Sequence, residues 1–161
     1  MGVLAAALLL IGSIAAPPPV QAAKRNLTGT WHLDIKKSNF GGSQPPESIV
    51  HVIDHQEPAI KITTTTAWRK EQAGVSEQTL TTDGKESVNK MEAMGVLQDV
   101  KVTGAWRGDT LAIAWKIESP GGPVEFNDSW SLSADGKVLT LVRAGKTSQG
   151  AFTMKTVYNK Q

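Results

Sequence analysis

The chain has 161 residues, 40% of them hydrophobic and 20% charged, with 17 Lys or Arg against 15 Asp or Glu, a net charge of +2 and no cysteine. The balanced, interspersed charge gives no polyanion-binding patch, so no nucleic-acid partner is expected. Without cysteine the fold has no disulfide framework and no thiolate centre, and must be held by a core and a backbone ladder.

In chain order, residues 1–22, MGVLAAALLLIGSIAAPPPVQA, carry no charge and read as a secretory signal peptide, with Val20-Gln21-Ala22 as the cleavage site. The apolar run is short for a bilayer span, so no stable membrane insertion is expected after cleavage. Cleavage after Ala22 leaves 139 residues (161 less 22), the size of one domain, assigned to residues 26–160. The expected location is secreted or periplasmic.

The rest of the chain reads as about ten strands cut by turns. The turn signals are Gly41-Gly42 with Pro45-Pro46, Glu57-Pro58, Gly74, Asp83-Gly84, Gly95, Gly108-Asp109, Gly121-Gly122-Pro123, Asp135-Gly136 and Gln149-Gly150. The best helix candidate is one turn near Ile35 to Ser38. Thr64 and Thr66 continue the face of Ile60 and Ile62, which makes that wall mildly polar. Leu111, Ile113, Trp115 and Ile117 share a face, as do Val124, Phe126, Asp128, Trp130 and Leu132. Leu139 and Leu141 align with Arg143, and Phe152 and Met154 with Thr156 and Tyr158. Such alternation fits an antiparallel sheet that is wet on one side. A ten-strand open meander exposes two edges, and closing it removes them, so an antiparallel up-and-down β-barrel is the expected fold.

Gly29-Thr30-Trp31, at the front of this meander, resembles the Gly-x-Trp signature of lipocalins and related calycin barrels. With Thr81-Thr82-Asp83-Gly84, Asp128-Ser129-Trp130-Ser131-Leu132-Ser133, Asp135-Gly136-Lys137 and Val157-Tyr158, the chain is similar to small secreted bacterial lipocalin-like proteins of unknown function. The resemblance implies that Gly29 and Trp31 close the narrow end of the barrel, often under a late-strand arginine, for which Arg143 is the candidate. The chain departs from the family in several ways. No helix follows the last strand, and the Gly/Pro-rich interval Asp34 to Glu47 cannot hold a two-helix lid. The later lipocalin motifs and the fatty-acid-binding Arg-x-Tyr pair are also missing, so ligand specificity does not carry over.

Asp128 falls on an inward face, where a carboxylate needs a partner. Arg143, across one tight turn, is the natural one. Two readings follow: a polar anchor for a ligand head group, or a structural ion pair. Arg143 serves Trp31, Asp128 or both. Trp106, Trp115, Phe126, Trp130, Phe152 and Met154 supply an aromatic lining, either around a ligand cavity or as core filling. His51 and His55, four apart on a strand, are roughly 13 Å apart, too far to share an ion, so no metal is expected. No nucleophile elbow, phosphate loop or zinc-protease helix is present, and no catalytic residue or cofactor is assigned. Arg107-Gly108-Asp109 is read as a turn.

The expected function is an exported carrier or receptor for a small, mainly hydrophobic molecule. The alternative is a loop-mediated protein-binding or inhibitor module with a filled core, using Gly41 to Pro46. An enzyme would require ionisable groups converging in a pocket.

Overall fold

The apolar/polar alternation resolves into ten antiparallel strands in a computed structural model that describes residues 26–69, 73–93 and 95–161. The signal-peptide segment 1–22 lies outside the described residues. The strands are β1 (Gly29–Leu33), β2 (Ser48–Gln56), β3 (Ala59–Ala67), β4 (Ala73–Thr81), β5 (Asp83–Ala93), β6 (Val96–Arg107), β7 (Thr110–Ile117), β8 (Val124–Leu132), β9 (Val138–Thr147) and β10 (Gly150–Lys160). Each pairs with its chain neighbour except at β4 and β5, and β1 pairs with β10, so the sheet order is β4-β3-β2-β1-β10-β9-β8-β7-β6-β5. The first and last strands zip together through Trp31↔Lys160, His32↔Asn159 and Leu33↔Tyr158. The helical turn expected near Ile35 is a 3-10 turn, Ile35–Lys37, with Asp34 as its N-cap.

Among the described residues no backbone ladder joins β4 to β5. Side chains bridge the seam there, Asn89 foremost. The Thr79 N–H donates to Asn89 Oδ1 at 2.7 Å, and Asn89 Nδ2 donates to the Thr79 carbonyl at 2.9 Å. The primary amide thus imitates one residue of a neighbouring strand. Asn89 is itself buried, so the imitation satisfies its own polar atoms as well.

The core lies on the inner faces. Trp31, Ile53, Ile60, Ile62, Leu80, Val100, Val102, Leu111, Ile113, Leu139 and Tyr158 form one buried cluster. One end of the tube is sealed. Trp31 is completely buried there, and its indole N–H donates to the Leu27 carbonyl at 2.9 Å. The Leu27 N–H donates in turn to His55 Nδ1 at 3.1 Å. That bond fixes the His55 proton on Nε2, which faces Glu57 Oε1 at 3.2 Å. Glu57 also accepts from Trp106 Nε1 at 2.6 Å and Thr82 Oγ1 at 2.5 Å. A single carboxylate therefore draws together the β2–β3 turn, the β4–β5 turn and β6.

The interval between β1 and β2 replaces a helical lid with a pinned loop. The Asp34 N–H donates to the Val157 carbonyl at 2.7 Å, and Asn39 and Lys155 exchange backbone bonds of 2.6 and 2.8 Å. The loop is thereby held along β10, which carries it over the open end.

Candidate functional site

Away from the Trp31 end, the inner faces enclose a cavity of about 460 Å³. Its inner part is framed by Ile62 of β3, Trp130 of β8, Leu141 of β9 and Tyr158 of β10, with His51 of β2 among them. Thr64, Thr66, Ser76 and Gln78, from β3 and β4, form the mildly polar wall expected from the threonine run. Trp115, Arg143, Met154 and Thr156 form the wall opposite in the sheet order. Phe40, Ser43, Gln44 and Pro46 of the pinned loop, with Trp68 and Glu77, edge the mouth.

The register places Asp128 opposite Arg143, as the tight β8–β9 turn requires. Arg143 Nε donates to Asp128 Oδ1 at 2.7 Å and Nη2 to Oδ2 at 2.6 Å. Trp115 Nε1 adds a third bond to Oδ2 at 3.3 Å. The carboxylate is buried, while about a third of the arginine side chain is exposed. Asp128 therefore stands behind Arg143 and orients it, and Arg143 is the member that reaches the cavity. The guanidinium also lies over the rings of Trp115, at 4.9 Å, and Phe126, at 5.4 Å.

This arrangement corrects the expected cover of Trp31. Arg143 sits on β9, between Asp128 and Met154 in the ladder, and its fork is occupied by Asp128. The cation over Trp31 is Lys160, whose Nζ is 5.2 Å from the ring centroid. Lys160 is the register partner of Trp31 across the β1–β10 closure, and Gly29 makes room for it. A Cβ at Gly29 would meet the Lys160 side chain, and the glycine's φ of 149° suits no other residue well.

Of the expected lining residues, Trp115, Trp130, Arg143 and Met154 face the cavity. Phe126 stacks on Trp115 with centroids 4.0 Å apart, and Phe152 meets Phe126 edge-on at 6.1 Å. Phe126 thus packs on Trp115 and Phe152 on Phe126, and neither phenylalanine is among the residues that line the cavity. Trp106 lies at the sealed end, bonded to Glu57 and stacked on His55 at 6.1 Å. It shares the inward face but is too far along its strand to reach the cavity.

Sequence spacing bears on His51 only as a metal ligand; the structure gives it another place. It is buried, with Nδ1 2.8 Å from Thr64 Oγ1 and its ring 4.6 Å from Tyr158 and 6.0 Å from Trp130. Burial holds its pKa down at about 4, and the Arg143 charge pushes the same way, so the imidazole is neutral at physiological pH. Burial also raises the Tyr158 hydroxyl above its usual range. The strand parity of Ile49, His51, Ile53 and His55 could have placed His51 inside, but Val50 and Val52 put apolar side chains on the other face too, beside Ser48, Asp54 and Gln56. Among the described residues no three His, Cys, Asp or Glu side chains gather as a metal site. None of the described helices is long and apolar enough to cross a membrane.

Ten antiparallel strands in one meander, with first and last strands paired around an interior cavity, define a calycin-type β-barrel. No protein-family model and no curated protein matches the sequence. Solved structures do. A zebrafish ileal bile acid-binding protein complexed with cholic acid aligns with a TM-score of 0.53 at 15% identity, over 84% of this chain and 98% of that one. The fatty-acid-binding protein of Manduca sexta gives 0.50 at 15% identity, over 83% and 99%. Secretory abundant heat soluble protein 4 of Ramazzottius varieornatus gives 0.50 at 14%, over 91% and 99%. At such identities the likeness is one of fold.

Proposed function

We propose that the protein is an exported carrier or receptor that holds a small, mainly hydrophobic molecule inside its barrel. The observation that carries this reading is the cavity of about 460 Å³, within the ~300–1,000 Å³ range of ligand sites. Its wall combines tryptophan, methionine and aliphatic side chains with a few fixed polar groups, the usual composition of such a site. A filled-core module acting only through its loops is less well served by this interior, and the Gly41 to Pro46 loop contributes residues to the cavity mouth. Two proteins of similar fold are named for binding a bile acid and a fatty acid, which supports the reading by analogy. Export rests on the character of residues 1–22 and on the resemblance to secreted bacterial lipocalin-like proteins.

Two measurements test this. The neutral fluorophore N-phenyl-1-naphthylamine should bind saturably, with energy transfer from the cavity tryptophans. Native mass spectrometry of protein isolated gently from its host should show a co-purifying hydrophobic mass on a polypeptide starting at Ala23. No saturable uptake together with a bare polypeptide mass would refute the carrier reading, and an intact leader would refute export.

A further inference from the structure

We propose that the guest is an uncharged amphiphile: an apolar body carrying one hydroxyl or carbonyl oxygen, which hydrogen-bonds to His51 Nε2 and Trp130 Nε1 in the inner part of the cavity. This rests on the carrier reading and adds the ligand's chemical class to it.

Three observations support the assignment. The first is the pair of nitrogens itself. Among the described residues, His51 Nε2 and Trp130 Nε1 are buried side-chain atoms that meet no hydrogen-bond partner. Both residues are more than nine-tenths buried, both line the cavity, and their rings lie 6.0 Å apart. A buried polar atom without a partner is costly, and natural folds keep few of them without a reason. The indole N–H can only donate, so the missing group must accept. The imidazole is neutral, with its other nitrogen engaged by Thr64, and Nε2 is a donor or an acceptor according to the tautomer. A hydroxyl satisfies both nitrogens in either tautomer, and a carbonyl does so when Nε2 carries the proton.

The second observation is the charge balance of the wall. Among the described lining residues only Arg143 and Glu77 carry a formal charge. Arg143 is held by Asp128 in a two-bond fork, and Glu77 is ion-paired with Lys61 at 3.0 Å. Among these residues no unpaired cation remains to compensate a carboxylate taken into the barrel, and burying an uncompensated charge is far more costly than burying a hydroxyl. The third observation is size. At ~30 Å³ per water-sized group, a cavity of about 460 Å³ holds roughly 15 such groups, which suits a medium-length chain or a small fused-ring molecule.

The test uses N-phenyl-1-naphthylamine as reporter and dodecan-1-ol and sodium dodecanoate, both below their aggregation limits, as matched competitors at neutral pH. The alcohol should displace the reporter at a concentration at least ~10-fold lower than the carboxylate. Trp130→Phe and His51→Leu should each lower the affinity for the alcohol relative to the reporter by about 3–10-fold, the effect of one hydrogen bond. Equal or tighter binding of dodecanoate overturns the proposal and leaves the carrier reading standing. So does an unchanged alcohol-to-reporter ratio in both variants. Failure of the reporter and of both competitors to bind overturns the carrier reading itself.

Discussion

Replacing Asp128 by asparagine removes one charge from a buried pair and almost no volume. The carboxylate accepts from Arg143 at 2.7 and 2.6 Å and from Trp115 at 3.3 Å, whereas an amide offers one acceptor oxygen and sets its NH₂ against donors. Two unit charges ~4 Å apart near a protein surface interact by about 4 kcal/mol. Breaking a buried pair typically costs ~3–5 kcal/mol. About a third of the Arg143 side chain is exposed, so water in the cavity recovers part of this, and we expect a loss of about 2–3 kcal/mol. For a fold of this size that lowers Tm by roughly 10 °C. Urea and thermal unfolding followed by circular dichroism at neutral pH measure it. The double variant Asp128→Leu, Arg143→Met should return to within ~1 kcal/mol of the parent, because an apolar replacement of both partners strands no charge. Asp128→Asn should also raise the affinity for dodecanoate, since Arg143 becomes an uncompensated cation in the wall. A loss below ~1 kcal/mol, a double variant as unstable as the single, or unaltered carboxylate affinity would refute the reasoning.

Three further outcomes are expected. His51 has a folded-state pKa of about 4 against an ordinary histidine value of 6.5, so the unfolded chain takes up its proton first as pH falls. Its contribution is complete above pH ~6.5 and is lost between ~6.5 and ~4, on the order of 3 kcal/mol; Asp34 and Asp83, lowered by hydrogen bonds from Lys37 and Lys85, act only below that window. Urea titrations across the range should show this slope, and His51→Gln should flatten it. Asn89→Ala removes both bonds to Thr79, so the Thr79 amide should exchange with deuterium about tenfold faster or more, with less change across β8 and β9. Trp31→Ala should cost ~3–5 kcal/mol because the side chain is fully buried, whereas Lys160→Ala, which removes only the cation over its face, should cost ~1 kcal/mol or less by urea unfolding.

Much of this architecture was legible in the residue order because antiparallel neighbours are local. The Ala134-Asp135-Gly136-Lys137 turn sets the β8–β9 register, and with it the meeting of Asp128 and Arg143. Period-two alternation in β7 to β10 assigned the inward faces, and the Thr64 and Thr66 wall followed from the same count. Other features depend on contacts between distant segments or on depth along the barrel. Lys160 reaches Trp31 only through the register of strands at opposite ends of the fold, which no turn dictates. Trp106 shares its inward parity with Val100 and Val102, and parity says nothing about which end of the tube a residue occupies. His51 was hidden because Val50 and Val52 interrupt the polar face of its strand, which blurs the alternation. Whether the interior is filled depends on barrel diameter and on how Trp115, Phe126 and Phe152 pack on one another, and alternation is blind to both.

The burial of Leu27 sets a limit on how far the amino end can be trimmed. Its amide and carbonyl are committed to His55 and Trp31, and its side chain is in the core, so a protease that cut one or two residues beyond Asn26 would pull the stopper from the tube. Tags, fusions and any trimming of the amino end must leave Leu27 and its amide bond to Asn26 whole.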